Sequence, residues 1–400
     1  MMRTRQKKGL CAACVSLFSA IWLCCGTALA EEAPSNAVQL DIPAKSCILT
    51  DSAGNVLYED NADQQMPPAS ITKIMTLLLT FEALDAGTLS EDQMVTCSEY
   101  AASMGGTQIW LEPGEEMALS DIIKATAVNS ANDCAMVLAE TVAGSEEAFV
   151  AMMNEKAAAL GMAGTHFENP TGLDADGHLS TARDIAIMSA ELLKHEGVTE
   201  YTTIWMDSLR NGETGLVNTN KLVRYYTGCT GLKTGTTDGA GSCLSATATR
   251  DGVSLIAVSM GSETSNDRFA SCRTLLDYGF ASYENYTPVL DDQTLAPVPA
   301  LGGQSEQVSI SADIPKGILI PKGMADQVKV EVTKESTVTA PVEEGTVLGN
   351  AVISLDGKVL AQIPLRAKEQ VEKIDFSFAL RRLWMLFTIS PFAEEEIQKN

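Results

Sequence analysis

"PPASITKIMT", residues 67–76, sets two prolines before a serine and places a lysine three residues further on, at the mouth of a largely apolar run. The prolines end whatever precedes them, and the pattern that follows predicts a helix over about 70–84. Its apolar members, Ile71, Ile74, Met75, Leu77, Leu78, Leu79 and Phe81, lie all round the cylinder rather than along one stripe. A helix that is hydrophobic on every side belongs at the centre of a fold. Ser70 and Lys73 then share one helix face, within side-chain reach. At a helix start the backbone N–H of Ser70 lacks an intrahelical acceptor, and the dipole favours negative charge. A serine there can attack a carbonyl while its own N–H steadies the oxyanion. The lysine serves as base when desolvation and a nearby cation keep it neutral. Taken alone, S-x-x-K is a common motif, and the pair reads more readily as a capping serine beside an exposed lysine.

Two distant triplets change that balance. Ser130-Ala131-Asn132 falls in a break between helical segments, where a hydroxyl and an amide are presented from a loop. Lys233-Thr234-Gly235 falls in a β segment, "TGLKTGTT". There the glycine leaves room for a ligand backbone to lie alongside, and Lys233 and Thr234 can hold an anion. The surrounding pattern is α+β. A hairpin is expected around Asp51–Asn55, helices over about 119–195 capped by Ser120, Ser145 and Ser180 or Thr181, strands over 229–260, and a last helix near 266–278. Strands at both ends with helices inserted between them predict one sheet closed by both ends of the segment.

S-x-x-K, S-x-N and K-T-G in that order form the motif set of penicillin-binding proteins and serine β-lactamases. "PPASITKIMT" resembles the active-site stretch of low-molecular-mass penicillin-binding proteins, the serine-type D-alanyl-D-alanine carboxypeptidases. "MGGTQIWLEPGE", "AVNSANDCAMVLAE", "THFENPTGLDADGHLSTARDIAIMS" and "LLDYGF" are similar to the same family, and the resemblance covers roughly residues 35–285. It implies a β-lactamase/transpeptidase-like domain, an antiparallel sheet with a helical subdomain. It also implies Ser70 as the nucleophile acylated by the penultimate D-Ala carbonyl of a peptidoglycan stem peptide, Lys73 as its base, and Ser130, with Lys233 close by, as the group passing a proton to the departing D-Ala. Asn132 would bind the substrate amide, Thr234 beside Gly235 the terminal carboxylate, and Thr236 would add a second oxyanion N–H. Arg268 matches an arginine that helps bind the carboxylate, or is a surface charge at a helix start. β-Lactams would acylate the same serine, and no metal or organic cofactor is required.

A class A β-lactamase needs a deacylating glutamate in an E-x-x-L-N context; Glu168 lies at a suitable distance but is followed by Asn169-Pro170-Thr171-Gly172. A transpeptidase or endopeptidase using the same acyl-enzyme, and a non-catalytic wall-binding module, remain open at this level. No G-x-S-x-G elbow supports a triad with His166, His178 or His195, which read as structural or peripheral.

The remaining chain sets the context. Arg3, Arg5, Lys7 and Lys8, the apolar run 10–25 and Ala28-Leu29-Ala30 form a secretory signal peptide over 1–30, so export is expected. The formal net charge is −24, and removing the leader's four cations takes it to −28, which disfavours nucleic acid as a partner. Ten cysteines fall to six after cleavage, none in a C-x-x-C pair, and free buried thiols are expected. The organisation expected is a peptidase domain over 31–287, a Pro/Gly-rich linker over 288–307, a small all-β domain over 308–367 and a tail over 368–400. In that tail apolar residues crowd around Arg381 and Arg382. Spanning a bilayer would bury both arginines at about 2.5–3.5 kcal/mol each, so an amphipathic helix at the membrane surface is favoured over a span, with a helix packed on the β domain as the alternative.

Overall fold

The computed structural model describes residues 38–388 apart from Lys316; the expected signal peptide lies outside the described residues. The chain divides into Met1–Leu40 and Asp41–Asn400, and every described helix and strand lies in the second unit.

Strands β1 (Ser46–Asp51) and β2 (Val56–Asp60) form the expected hairpin. The Asp51 carboxylate closes its turn by accepting from the amides of Ala53 at 2.9 Å and Asn55 at 2.8 Å. Strands β3 (Cys229–Thr237), β4 (Gly241–Arg250) and β5 (Val253–Ser262) return from the far end of the sequence. They complete an antiparallel sheet in the order β2-β1-β5-β4-β3, so β3, carrying Lys233-Thr234-Gly235, is an edge strand.

The serine-bearing segment begins as a 3-10 turn, Ala69–Thr72, and becomes α1 over Lys73–Asp85. Every residue of α1 from Lys73 to Phe81 is buried, as an apolar perimeter requires. Its six large apolar side chains, at about 1.5–3 kcal/mol each, contribute on the order of 10 kcal/mol and anchor the turn that carries Ser70. Around it pack α2 (Leu119–Val128), α3 (Asn132–Ala143), α4 (Glu146–Ala159) and α5 (Ala182–Leu192). Ser145 and Thr181 cap α4 and α5 as expected, accepting from Ala148 N and Asp184 N. Ser120 does not cap α2: strand Glu116–Ala118 runs straight into that helix, and the Ser120 amide donates to Glu91 O instead. A longer helix than expected, α6 (Ser265–Ser282), covers the sheet from a Thr264/Asp267 capping box.

Residues beyond 283 are β-rich, with a separate hydrophobic core. The stretch 288–307 expected as a linker is built into it. Strand Val298–Leu301 alternates buried and exposed, and Leu290, Val298 and Ala300 join that core. Burying alternate apolar positions overrides the Pro/Gly composition. Strand Tyr283–Tyr286, expected at the end of the first domain, pairs with Ile318–Pro321 of the second. A final helix, α7 (Phe376–Thr388), follows. Among the described residues no helix is long and apolar enough to cross a membrane. The six described cysteines are all unpaired.

Candidate active site

Lys73 is fully buried, and its Nζ lies 3.1 Å from Ser70 Oγ, 2.6 Å from Asn132 Oδ1 and 2.6 Å from the Thr171 carbonyl. Burial lowers its pKa from 10.5 to about 7, with Asp133 and Cys134 pulling the other way. The partners decide what the neutral amine does. Two of them, a carbonyl and an amide oxygen, can only accept, so they hold the two remaining N–H bonds. The lone pair is left facing Ser70 Oγ, which is the geometry of a base poised to take the hydroxyl proton.

Asn132 is placed by two hydrogen bonds to one loop: its amide donates to Thr107 O at 2.7 Å and its Nδ2 to Gly105 O at 2.7 Å. Ser130, buried, adopts a left-handed φ of 65°, and its side chain makes no hydrogen bond among the described residues. An ordinary residue held there at a cost of about 1 kcal/mol or more is one whose orientation matters.

The edge strand approaches from the other side. A Cβ on Gly235 would lie 2.8 Å from Pro68 O and 3.1 Å from Ile71 N, so only glycine lets β3 lie this close to the serine turn. That places the exposed Thr236 beside the same turn. Lys233 Nζ donates to Thr234 O at 3.1 Å, and burial together with the charges of Lys73 and Arg268 pushes its pKa well down. Arg268 is not a surface charge. It is buried, and its guanidinium donates to Gly235 O at 2.9 Å and Thr236 Oγ1 at 2.7 Å, while its Nε has no partner.

The third wall, residues 165–180, contributes groups that sequence reasoning missed. The Asn169 carboxamide accepts from Thr171 N, Thr171 Oγ1 and Gly172 N, folding the turn that aims Thr171 O at Lys73. Asn-Pro-Thr-Gly is a turn signature and was the available signal. Gly172, at φ 81°, has Ala69 O where a Cβ would stand. His178 braces the wall: its Nδ1 accepts from Glu168 N at 3.0 Å, so Nε2 carries the proton toward Thr72 Oγ1 at 2.8 Å. Burial lowers its pKa to about 4, so it stays neutral there. Glu168 turns its carboxylate to His166 Nε2, 3.1 Å away, with both side chains substantially exposed.

The expected site residues are drawn from the Ala69–Thr72 turn, the start of α1, the α2–α3 junction, β3 and the start of α6; Lys73 ties Ser70 to Asn132, and the close approach of Gly235, with Arg268 behind it, brings β3 to the serine turn. A family model described as D-alanyl-D-alanine carboxypeptidase matches residues 30–264, and one described as penicillin-binding protein 5, C-terminal domain, matches 283–373. The chain is 42% identical to the D-alanyl-D-alanine carboxypeptidase DacF of Bacillus subtilis, over 89% of this chain and 93% of that one. It is 36% identical to DacC of Escherichia coli, over 94% of each. Penicillin-binding protein 5 from Haemophilus influenzae superposes with a TM-score of 0.73 at 30% identity, over 84% of this chain and 99% of that one. A cefotaxime-bound penicillin-binding protein D2 from Listeria monocytogenes superposes at 0.54 with 33% identity, over 61% of this chain and 99% of that one. The chain belongs to the serine-type D-alanyl-D-alanine carboxypeptidases of the penicillin-binding protein family.

Proposed function

We propose that Ser70 is the residue acylated by the penultimate D-Ala carbonyl of a peptidoglycan stem peptide, with neutral Lys73 as its base. The observation that carries this is the Lys73 cradle: a fully buried amine, 3.1 Å from Ser70 Oγ, with its other contacts both acceptors. Ser70 N and Thr236 N bind the oxyanion, a role supported by the closeness of β3 to the serine turn. Ser130, with Lys233, delivers the proton to the leaving D-Ala, whose carboxylate is held by Thr234 and by the cationic surroundings of Lys233 and Arg268. Asn132 positions Lys73 and keeps one N–H free for the substrate amide. Water then hydrolyses the acyl-enzyme.

The purified mature protein is incubated with a peptide ending in D-Ala-D-Ala and, separately, with penicillin. Free D-Ala and a long-lived penicilloyl adduct are expected, both abolished in Ser70→Ala. Rapid penicillin turnover without D-Ala release would overturn the proposal in favour of a lactamase, a reading that the outward-turned Glu168 does not support.

The protein is further read as exported and held at the membrane surface by α7. That helix exposes Phe376, Leu380, Leu383, Trp384, Leu386 and Phe387, a set suited to the headgroup boundary, with Arg381 among lipid phosphates and Arg382 paired with Glu306 at 2.7 Å. Full-length protein should fractionate with membranes and a form ending at Ala367 should not; equal partitioning removes the anchor.

A further inference from the structure

Thr219 has no place in the motif set, yet its hydroxyl stands 2.7 Å from that of Thr234. Its backbone amide donates to Val128 O at 3.1 Å, two residues before Ser130. The residue therefore joins the strand carrying Thr234 to the segment carrying Ser130. Its neighbours make the joint stiff. Asn218 is buried and its Nδ2 donates to Thr202 O and Ile204 O; Asn220 is buried and its Nδ2 donates to Gly231 O on β3. Asn220 N in turn donates to Asn218 Oδ1. A half-buried threonine between two clamped asparagines has little freedom to leave its partner.

We infer that Thr219 is a positioning residue that fixes the Thr234 hydroxyl for a free terminal carboxylate; this rests on the reading of Thr234 above. A hydroxyl has one proton and two acceptor positions. In the empty site the Thr234 proton can rest on Thr219. When a carboxylate arrives, both rotors turn: Thr234 donates to the carboxylate and accepts from Thr219. No hydrogen bond is lost in the exchange, and the chain Thr219–Thr234–carboxylate is polarised along its length. Without the Thr219 hydroxyl, the buried Thr234 Oγ1 is held by nothing that favours the donating rotamer.

The test is a double-mutant cycle on D-Ala release from a peptide ending in D-Ala-D-Ala, using the mature full chain with Thr219→Val, Thr234→Val and both. Thr219→Val should lower kcat/KM about tenfold, carried mainly by KM because an interaction with a non-reacting part of the substrate is lost. Thr219→Ser should restore it to within about twofold of the wild type. In the Thr234→Val background the Thr219 change should cost nothing further, since its only route to the substrate is gone. If Thr234→Val itself leaves KM unaltered, the reading of Thr234 fails. If Thr234→Val is impaired but the two effects multiply, or if Thr219→Ser does not rescue, Thr219 is merely structural and the inference falls. Should Thr219→Val not fold, Thr219→Ala, which keeps the backbone tether, is judged by the same outcomes.

Discussion

Asn132→Asp places a carboxylate where a neutral oxygen now sits 2.6 Å from Lys73 Nζ. In the native site burial holds the lysine near pKa 7, so about half of it is neutral at pH 7. An opposite charge in contact favours the protonated form by about one to three units. The inflection then moves to between about 8 and 10, and the neutral fraction at pH 7 drops from about half to between a tenth and a thousandth. Acylation of Ser70 by penicillin should therefore slow between about fivefold and 500-fold at pH 7, and recover as the pH passes the new inflection. The assay is the rate of covalent adduct formation, followed by mass spectrometry for both proteins from about pH 5.5 to 10. Below its inflection each rate should climb about tenfold per pH unit and then level. A flat wild-type profile between about pH 6 and 8, or a variant equally impaired at every pH, would refute Lys73 as the titrating base.

Three further outcomes are expected. Lys73 has a folded-state pKa depressed from 10.5 to about 7, so above pH 7 the unfolded chain holds a proton that the native one has shed. Wild-type stability should gain about 1.4 kcal/mol per pH unit over Lys73→Met in urea melts between pH 7 and 10; parallel melts would show that the amine is not buried neutral. His178, depressed from 6.5 to about 4, contributes a loss of stability as pH falls through that window, on the order of 3 kcal/mol. His178→Gln should remove that acid-side loss in melts run from about pH 6.5 to 4, and an unchanged slope would contradict it. Gly172→Ala should cost about 3 kcal/mol or more, because a Cβ there meets the Ala69 carbonyl and φ is 81°. Penicillin acylation should fall with it even in the fraction that remains folded, since the displaced atoms adjoin Ser70.

The three motifs are legible because each chemistry-bearing residue sits at a fixed offset within one local element, and because a helix with no polar face has to be central. The wall at 165–180 is less so. Two of its contributions are backbone groups, the Thr171 carbonyl on Lys73 and the Ala69 carbonyl against Gly172, and a carbonyl has no letter in the sequence. Thr219 is hidden differently: a threonine after an asparagine reads as a turn, and its meaning depends on the strand 15 residues away that returns beside it. The linker over 288–307 misleads because composition outweighs period there; Val298 and Ala300, two apart, are the strand signal. Arg268 as a surface charge fails for a related reason. A capped helix start implies exposure, but this one packs against the end of β3, so the guanidinium points inward.

Lys73, Lys233 and Arg268 are all buried, and among the described residues none of them forms an ion pair. Asp133, whose charge Lys73 feels, spends its oxygens on the amides of Ile109, Leu111 and Cys134. Three basic groups in one interior without a counter-charge are costly: burial depresses the pKa of Lys233, with the charges of Lys73 and Arg268 adding to it, and burial depresses that of Arg268. An anion bound anywhere in the cleft would relieve that cost, yet one bound beside Lys73 would protonate the base and stop the reaction. The fold separates the two demands. Lys73 faces neutral oxygens on α3 and the 165–180 wall, while Thr234, Lys233 and Arg268 gather on and behind β3. A carboxylate held at that strand stabilises the charged form of Lys233, and a charged Lys233 in turn disfavours protonation of Lys73. With the roles proposed above for Ser70, Lys73 and Thr234, binding of the carboxylate end of the substrate and activation of Ser70 would reinforce each other, because base and anion site belong to different elements.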